Sequence, residues 1–269
     1  MFHSLLNLFI FPSGIFAISI ILIILIFEKK FEVSLGDNKK IMKEKDISYI
    51  TKIFKNNKVI NAINFICAIF LLLILIFIPM YHNIFTSKNN DLVLVISFFT
   101  ISIVVLLFKG KNYYINIFKS LLFEIPIIIS ILTVAVKCNY SLSLYNIEGF
   151  QLVNGVNILN LGLIPGAVAF LLALNSINYE KINLLHRYTG VCLFVALFLG
   201  GRGLAITGSV FLNNVLNILL YILLVLIVMF ILLLLRKYFE KKQIKYKGRL
   251  FLGISFILSS ISLLLTILY

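Results

Sequence analysis

Eight apolar runs, at 8–27, 59–78, 92–108, 120–136, 156–174, 190–206, 215–235 and 250–268, are separated by polar connections. Each reaches the ~17 to 25 residues with which a helix crosses about 30 Å of hydrocarbon. In hydrocarbon the backbone must satisfy its own hydrogen bonds, which leaves the helix as the form such a run can take. The pattern therefore predicts an all-α integral membrane protein, a bundle of about eight transmembrane helices forming a single membrane domain over 1–269. Composition points the same way, with 61% hydrophobic and 13% charged residues, well outside the usual soluble range. No internal repeat, soluble domain or linker interrupts the pattern. The opening MFHSLLNLFIFPSGIF lacks a basic leader and an A-x-A site, and is read as a retained anchor.

The basic residues orient the bundle. Lys and Arg number nine in the first loop, three in the third, two in the fifth and seven in the seventh. Even-numbered loops hold only Lys88 and Lys137. Cytoplasmic loops are the basic ones, so odd loops are expected in the cytoplasm and both termini outside, in an inner cell membrane. The net charge of +14 is thereby read as orientation and contact with anionic lipid, with no nucleic-acid partner. The long first loop ends in DISYITKIFKNNK, where Ile47, Ile50 and Phe54 would share one face of an amphipathic surface helix.

Within the spans, one carboxylate stands out. Of ten Asp and Glu residues, only Glu124, in KSLLFEIPIIISILTVAV, lies well inside a run. Intramembrane ionisable groups are rare and mark ion or proton paths. Desolvation favours the neutral form, so a carboxyl here is suited to taking up and releasing a proton. Pro126, two residues on, removes a helix hydrogen bond and frees a carbonyl. By the charge count Glu124 is expected about one turn from the cytoplasmic face. Arg202, in LGGRGLAITG, is the second candidate for the ion path, unless the sixth helix ends before it.

Other chemistry is thinly represented. Cys67, Cys138 and Cys192 are isolated and read as buried, reduced side chains. His3, His82 and His186 fall in three different connections, and His186, in LHRYTGVCLF, is expected to be solvated at an interface rather than a haem ligand. No Walker A loop or HExxH helix occurs, so no catalytic residue, cofactor or metal is assigned to this chain.

Several stretches together resemble one family. LNLFIFPSGIFAISIILIILIFEKKFEVSL, SYITKIFKNNKVI, Asn90-Asp91-Leu92, NYYINIFKSLLFEIPIIISILTV, GLIPGAVAFLLAL and KYKGRLFLGISFILSSISLLL occur in this order. They are similar to segments of the NADH dehydrogenase subunit 1 family, the membrane subunit that respiratory complex I shares with energy-converting [NiFe] hydrogenases, formate hydrogenlyase included. In the fifth loop, where that family carries a carboxylate cluster, NSINYEKINLLHRYTG offers only Glu180.

The resemblance implies a cofactor-free subunit that couples electron transfer to H⁺ or Na⁺ translocation. It implies Glu124 as the intramembrane proton-handling group and Glu28, Lys52 and Glu180 on the loops that dock the soluble arm. Iron–sulfur clusters, with [NiFe] as a further option, would reside in hydrogenase-like partners on the cytoplasmic side. Antiporter-like subunits would adjoin it in the bilayer. A stand-alone secondary transporter, or a scaffold that has lost ion coupling, are the alternatives.

Overall fold

The computed structural model describes residues 66, 69, 91–107, 113–176, 183–200, 210–241 and 248–268. Among them the structure is all-helical: α1 Asp91–Leu107, α2 Tyr113–Lys137, α3 Leu144–Asn154, α4 Ile164–Ser176, α5 Asn183–Phe194, α6 Val210–Lys241 and α7 Gly248–Leu268. A 3₁₀ turn, Asn157–Leu159, precedes α4, and α5 runs on into a π-helical turn, Val195–Leu199. The predicted run at 8–27, and that at 59–78 apart from Ile66 and Ile69, lie outside the described residues.

Of the six remaining predicted runs, four fall on single helices, the run at 190–206 begins seven residues into α5, whose π turn ends at Leu199, and the run at 156–174 is not one helix. The apolar run at 156–174 is divided, because Asn160 turns the chain: its side chain accepts the Gly162 N–H at 3.1 Å, and its carbonyl accepts the Leu163 and Ile164 amides. Helix α4 starts only at Ile164, with Pro165 in its first turn, where a missing N–H costs nothing. Helix α2 begins at Tyr113, seven residues before the predicted 120, so Glu124 sits about three turns into the helix. Helix α3 lies in what reads as a loop. The chain reaches it through Asn139 and Tyr140, both in the left-handed region at φ 58° and 56°. Such a conformation is tolerable for Asn and strained for Tyr.

Helices α2, α4 and α7 pack together, α1 lies against α2, and α5 with its π turn is held between α4 and α6. Small residues set how closely the first three approach. Ser255, Ser259, Ser262 and Thr266 recur at helical spacing along the buried face of α7. Ser262 Oγ donates to the Gly162 carbonyl at 2.7 Å, and a Cβ on Gly166 would lie 2.7 Å from that hydroxyl and 3.2 Å from Thr133 Oγ1. Close backbone approach of this kind is how small residues associate helices without a large apolar side chain between them. One turn farther along α4, the rings of Phe170, Phe194 and Phe198 form a trio with centroids 5.0 to 6.1 Å apart. Leu174 covers Gly190, where a Cβ would meet it at 2.5 Å.

Outward-facing positions are apolar. Helix α7 exposes Phe256, Ile257, Leu264 and Ile267 while its hydroxyls are buried, and α6 exposes Leu219, Leu223, Ile227 and Ile231. Among the described residues, Phe251–Leu268 is long and apolar enough to cross a bilayer by length and composition.

Candidate functional site

Glu124 lies on the inward stripe of α2. Residues at the helical spacing Glu124, Ile127, Ile131, Val134 and Cys138 are all buried, whereas Leu122, Ile125 and Leu132 face out. Ile127, Ile131 and Val134 belong to the same core as Leu92, Val95 and Phe99 of α1 and Phe170 of α4. Neither carboxyl oxygen of Glu124 has a hydrogen-bond partner among the described residues. A buried polar group left unmatched costs about 1–3 kcal/mol, and a charged one more. Pro126 lies inside the same helix, so the Leu122 carbonyl, four residues before it, has no N–H to accept. Farther along, α2 closes on itself: Ser130 Oγ donates to the Pro126 carbonyl and Thr133 Oγ1 to the Ser130 carbonyl, each at 2.7 Å.

A second carboxylate, Asp91, anchors the opposite end of the α1–α2 pair. Its Oδ1 accepts the Leu144 N–H at 2.8 Å, and the Leu92 N–H donates to the Leu142 carbonyl at 3.0 Å. Asp91 is thus a cap supplied from another helix to the N-terminus of α3, where Ser143 makes no side-chain cap. A negative charge there also complements the helix dipole. Its Oδ2 has no partner among the described residues.

Helix α3 turns Leu144, Ile147, Glu148 and Gln151 inward. Gln151 Nε2 donates to the Ala196 carbonyl at 3.0 Å, and Asn157 Nδ2 donates to the Leu197 carbonyl at 2.7 Å. These two amides satisfy carbonyls of the π turn, in which the ordinary i→i−4 ladder is interrupted. One turn earlier on α5, the Cys192 carbonyl accepts the Tyr221 hydroxyl of α6 at 2.9 Å, and Glu148 lies within electrostatic range of Tyr221. Gly200 follows at φ 65°, with Gln151 Oε1 only 3.1 Å from where a Cβ would stand. Cys138 packs against the Asn157 side chain at 3.8 Å, and burial pushes its thiol up to about 11 against the opposing pull of Asn157 and Lys137. Cys138 and Cys192 are free and buried, as expected. The protonated thiol is a poor nucleophile at neutral pH.

His186 departs from its expectation. It is buried rather than solvated, because α5 begins at Asn183 and turns this residue inward against α1. Its ring stacks on Phe99 with centroids 4.0 Å apart, and neither ring nitrogen has a hydrogen-bond partner among the described residues. Hydropathy alone placed it in a connection because Asn183 and Arg187 flank it.

Of the residues singled out in the sequence, Glu124 is therefore buried as expected, while Asp91, Glu148 and His186 join it in the interior. Glu28, Lys52, Glu180 and Arg202 lie outside the described residues. Among the described residues no group of three or more His, Cys, Asp or Glu side chains is arranged to hold a metal. No protein-family model matches the chain, and neither does any curated protein.

Proposed function

We propose that this chain is a cofactor-free, multi-pass membrane subunit of a complex I-like or energy-converting hydrogenase complex. In this reading it has about eight transmembrane helices with both termini outside. It anchors the soluble redox arm on the cytoplasmic side and couples electron transfer to H⁺ or Na⁺ movement, with Glu124 handling the proton.

The observation that carries the reading is Glu124 itself: a carboxyl group three turns inside an apolar helix, beside a proline, with no hydrogen-bond partner among the described residues. A carboxylate kept there at a cost in stability is explained by a path it serves. The reversed polarity of α7, with hydroxyls in and large apolar side chains out, suits a lipid surround, where apolar exposure carries no penalty. Glu28, Lys52 and Glu180 are assigned to the docking loops; Arg202 is not assigned to the ion path, because the helix before it ends at Leu199. The ordered likeness to the complex I and hydrogenase membrane subunit supplies the partners: iron–sulfur and hydrogenase-like subunits below, antiporter-like subunits alongside.

Purification of the tagged chain from its native membrane in mild detergent tests the assignment. Iron–sulfur and [NiFe]-type subunits are expected to come with it in stoichiometric amounts. Recovery of the chain alone, with solute uptake by that chain in liposomes, would instead establish a secondary transporter.

A further inference from the structure

The buried ionisable groups form a series along the bundle. Asp91 and the Leu92–Leu142 hydrogen bond tie the start of α1 to the end of α2, so the two helices run antiparallel. Phe99 lies eight residues into α1, about 12 Å from that end at 1.5 Å per residue. Glu124 lies thirteen residues before Lys137, about 20 Å from the same end. His186, stacked on Phe99, therefore lies near the level of Phe99, between those of Asp91 and Glu124 and about 8 Å from the latter. On α5, His186 precedes Ala196 by ten residues, about 15 Å from the π turn that Gln151 holds.

Each member of the series is buried and keeps at least one polar atom without a hydrogen-bond partner among the described residues. Asp91 Oδ2, both Glu124 oxygens and both His186 nitrogens lack hydrogen-bond partners among the described residues. A histidine serving only to fill space would cost less as phenylalanine, since it already stacks on Phe99 and leaves two nitrogens unmatched. Its charged surroundings among the described residues are few: Arg187 follows it in sequence, Glu124 faces the core from α2, Asp91 from α1 and Glu148 from α3. At the Asp91 end a cleft of about 650 Å³, lined by Cys138, Asn139, Ser141 and Asn146 among others, opens beside the α2–α3 connection.

Resting on the functional reading above, we infer that His186 is the middle proton carrier of a buried path that runs from Glu124 to the Asp91 and Glu148 end of the bundle. The proton leaves the Glu124 carboxyl, generating a carboxylate, and binds one imidazole nitrogen as the other nitrogen gives up its proton towards the carboxylates at the cleft, so the buried ring stays neutral and is left as its other tautomer. An imidazole is suited to this because it accepts at one atom and donates from another. The levels are too far apart for direct hydrogen bonds or for one bridging water, so each transfer passes along a short file of waters.

The test is proton uptake by inside-out membrane vesicles, driven by the electron transfer of the intact complex. His186→Ala is expected to lower uptake on the order of a hundredfold while electron transfer continues. Added imidazole, entering the space beside Phe99, should restore it, whereas thiophene, of similar shape without a basic nitrogen, should not. Full uptake in His186→Ala, or equal rescue by both compounds, would overturn the proposal. If His186→Ala fails to accumulate, His186→Gln is read instead: it keeps a polar side chain of similar length but cannot carry a proton, so normal uptake in it refutes the role. Loss in His186→Ala with normal uptake in Glu124→Gln would retain His186 and remove Glu124 as the entrance. If deleting the whole chain leaves uptake unchanged, the functional reading falls and the path with it.

Discussion

Asp91 Oδ1 takes the Leu144 amide hydrogen from 53 residues away, which fixes where α3 begins relative to α1. Asp91→Ala should cost about 1 kcal/mol, the usual loss for an N-cap acceptor. Thermal unfolding would register this, with faster amide exchange confined to the first turn of α3. Asp91→Asn, which keeps an acceptor oxygen, should change little. At this scale the sequence was partly legible. Glu124 declared itself, because a charge inside an apolar run needs no tertiary information to be noticed. His186 and Glu148 did not, since each sits in a polar-looking connection and is buried only by helices far away in sequence. Asp91 could be seen to open a span, but the helix that it caps follows a turn made by two left-handed residues, Asn139 and Tyr140, one of which is an unfavourable choice there.

The helices themselves follow the apolar runs closely, with differences where hydropathy and hydrogen bonding disagree. The run at 156–174 is apolar throughout most of its length, yet Asn157 and Asn160 commit their side chains to the π turn and to Gly162, so the helix starts at Ile164. The π turn left no trace in hydropathy; the glycines at 200 and 201 were the visible sign that the helix ended. The seam between α4 and α7 was latent in the spacing of Ser255, Ser259, Ser262 and Thr266, although only the fold shows that Gly162 and Gly166 receive them. Because Ser262 Oγ is held by the Gly162 carbonyl, it cannot swing away from a side chain at 166 without giving up that bond. Gly166→Val should therefore destabilise the bundle by about 1–3 kcal/mol, as overpacking does. Ser262→Ala in the same chain should recover part of the loss, and a double-mutant cycle on unfolding free energies measures that coupling.

Among the described residues, α7 buries the hydroxyls of Ser255, Ser259, Ser262 and Thr266, Glu124 joins an otherwise mostly apolar core, and large apolar side chains of α6 and α7 face outward. The outward apolar face of these two helices suits the lipid surround of the proposed subunit, and Glu124 is the group on which the proposal depends most. The direct measurement is the number of protons translocated per electron by the assembled complex in sealed vesicles, compared between the native chain and Glu124→Gln. Continued electron transfer with a proton-to-electron ratio reduced towards zero is the predicted result. An unchanged ratio in Glu124→Gln would contradict the account, because the neutral side chain cannot release the proton that coupling requires.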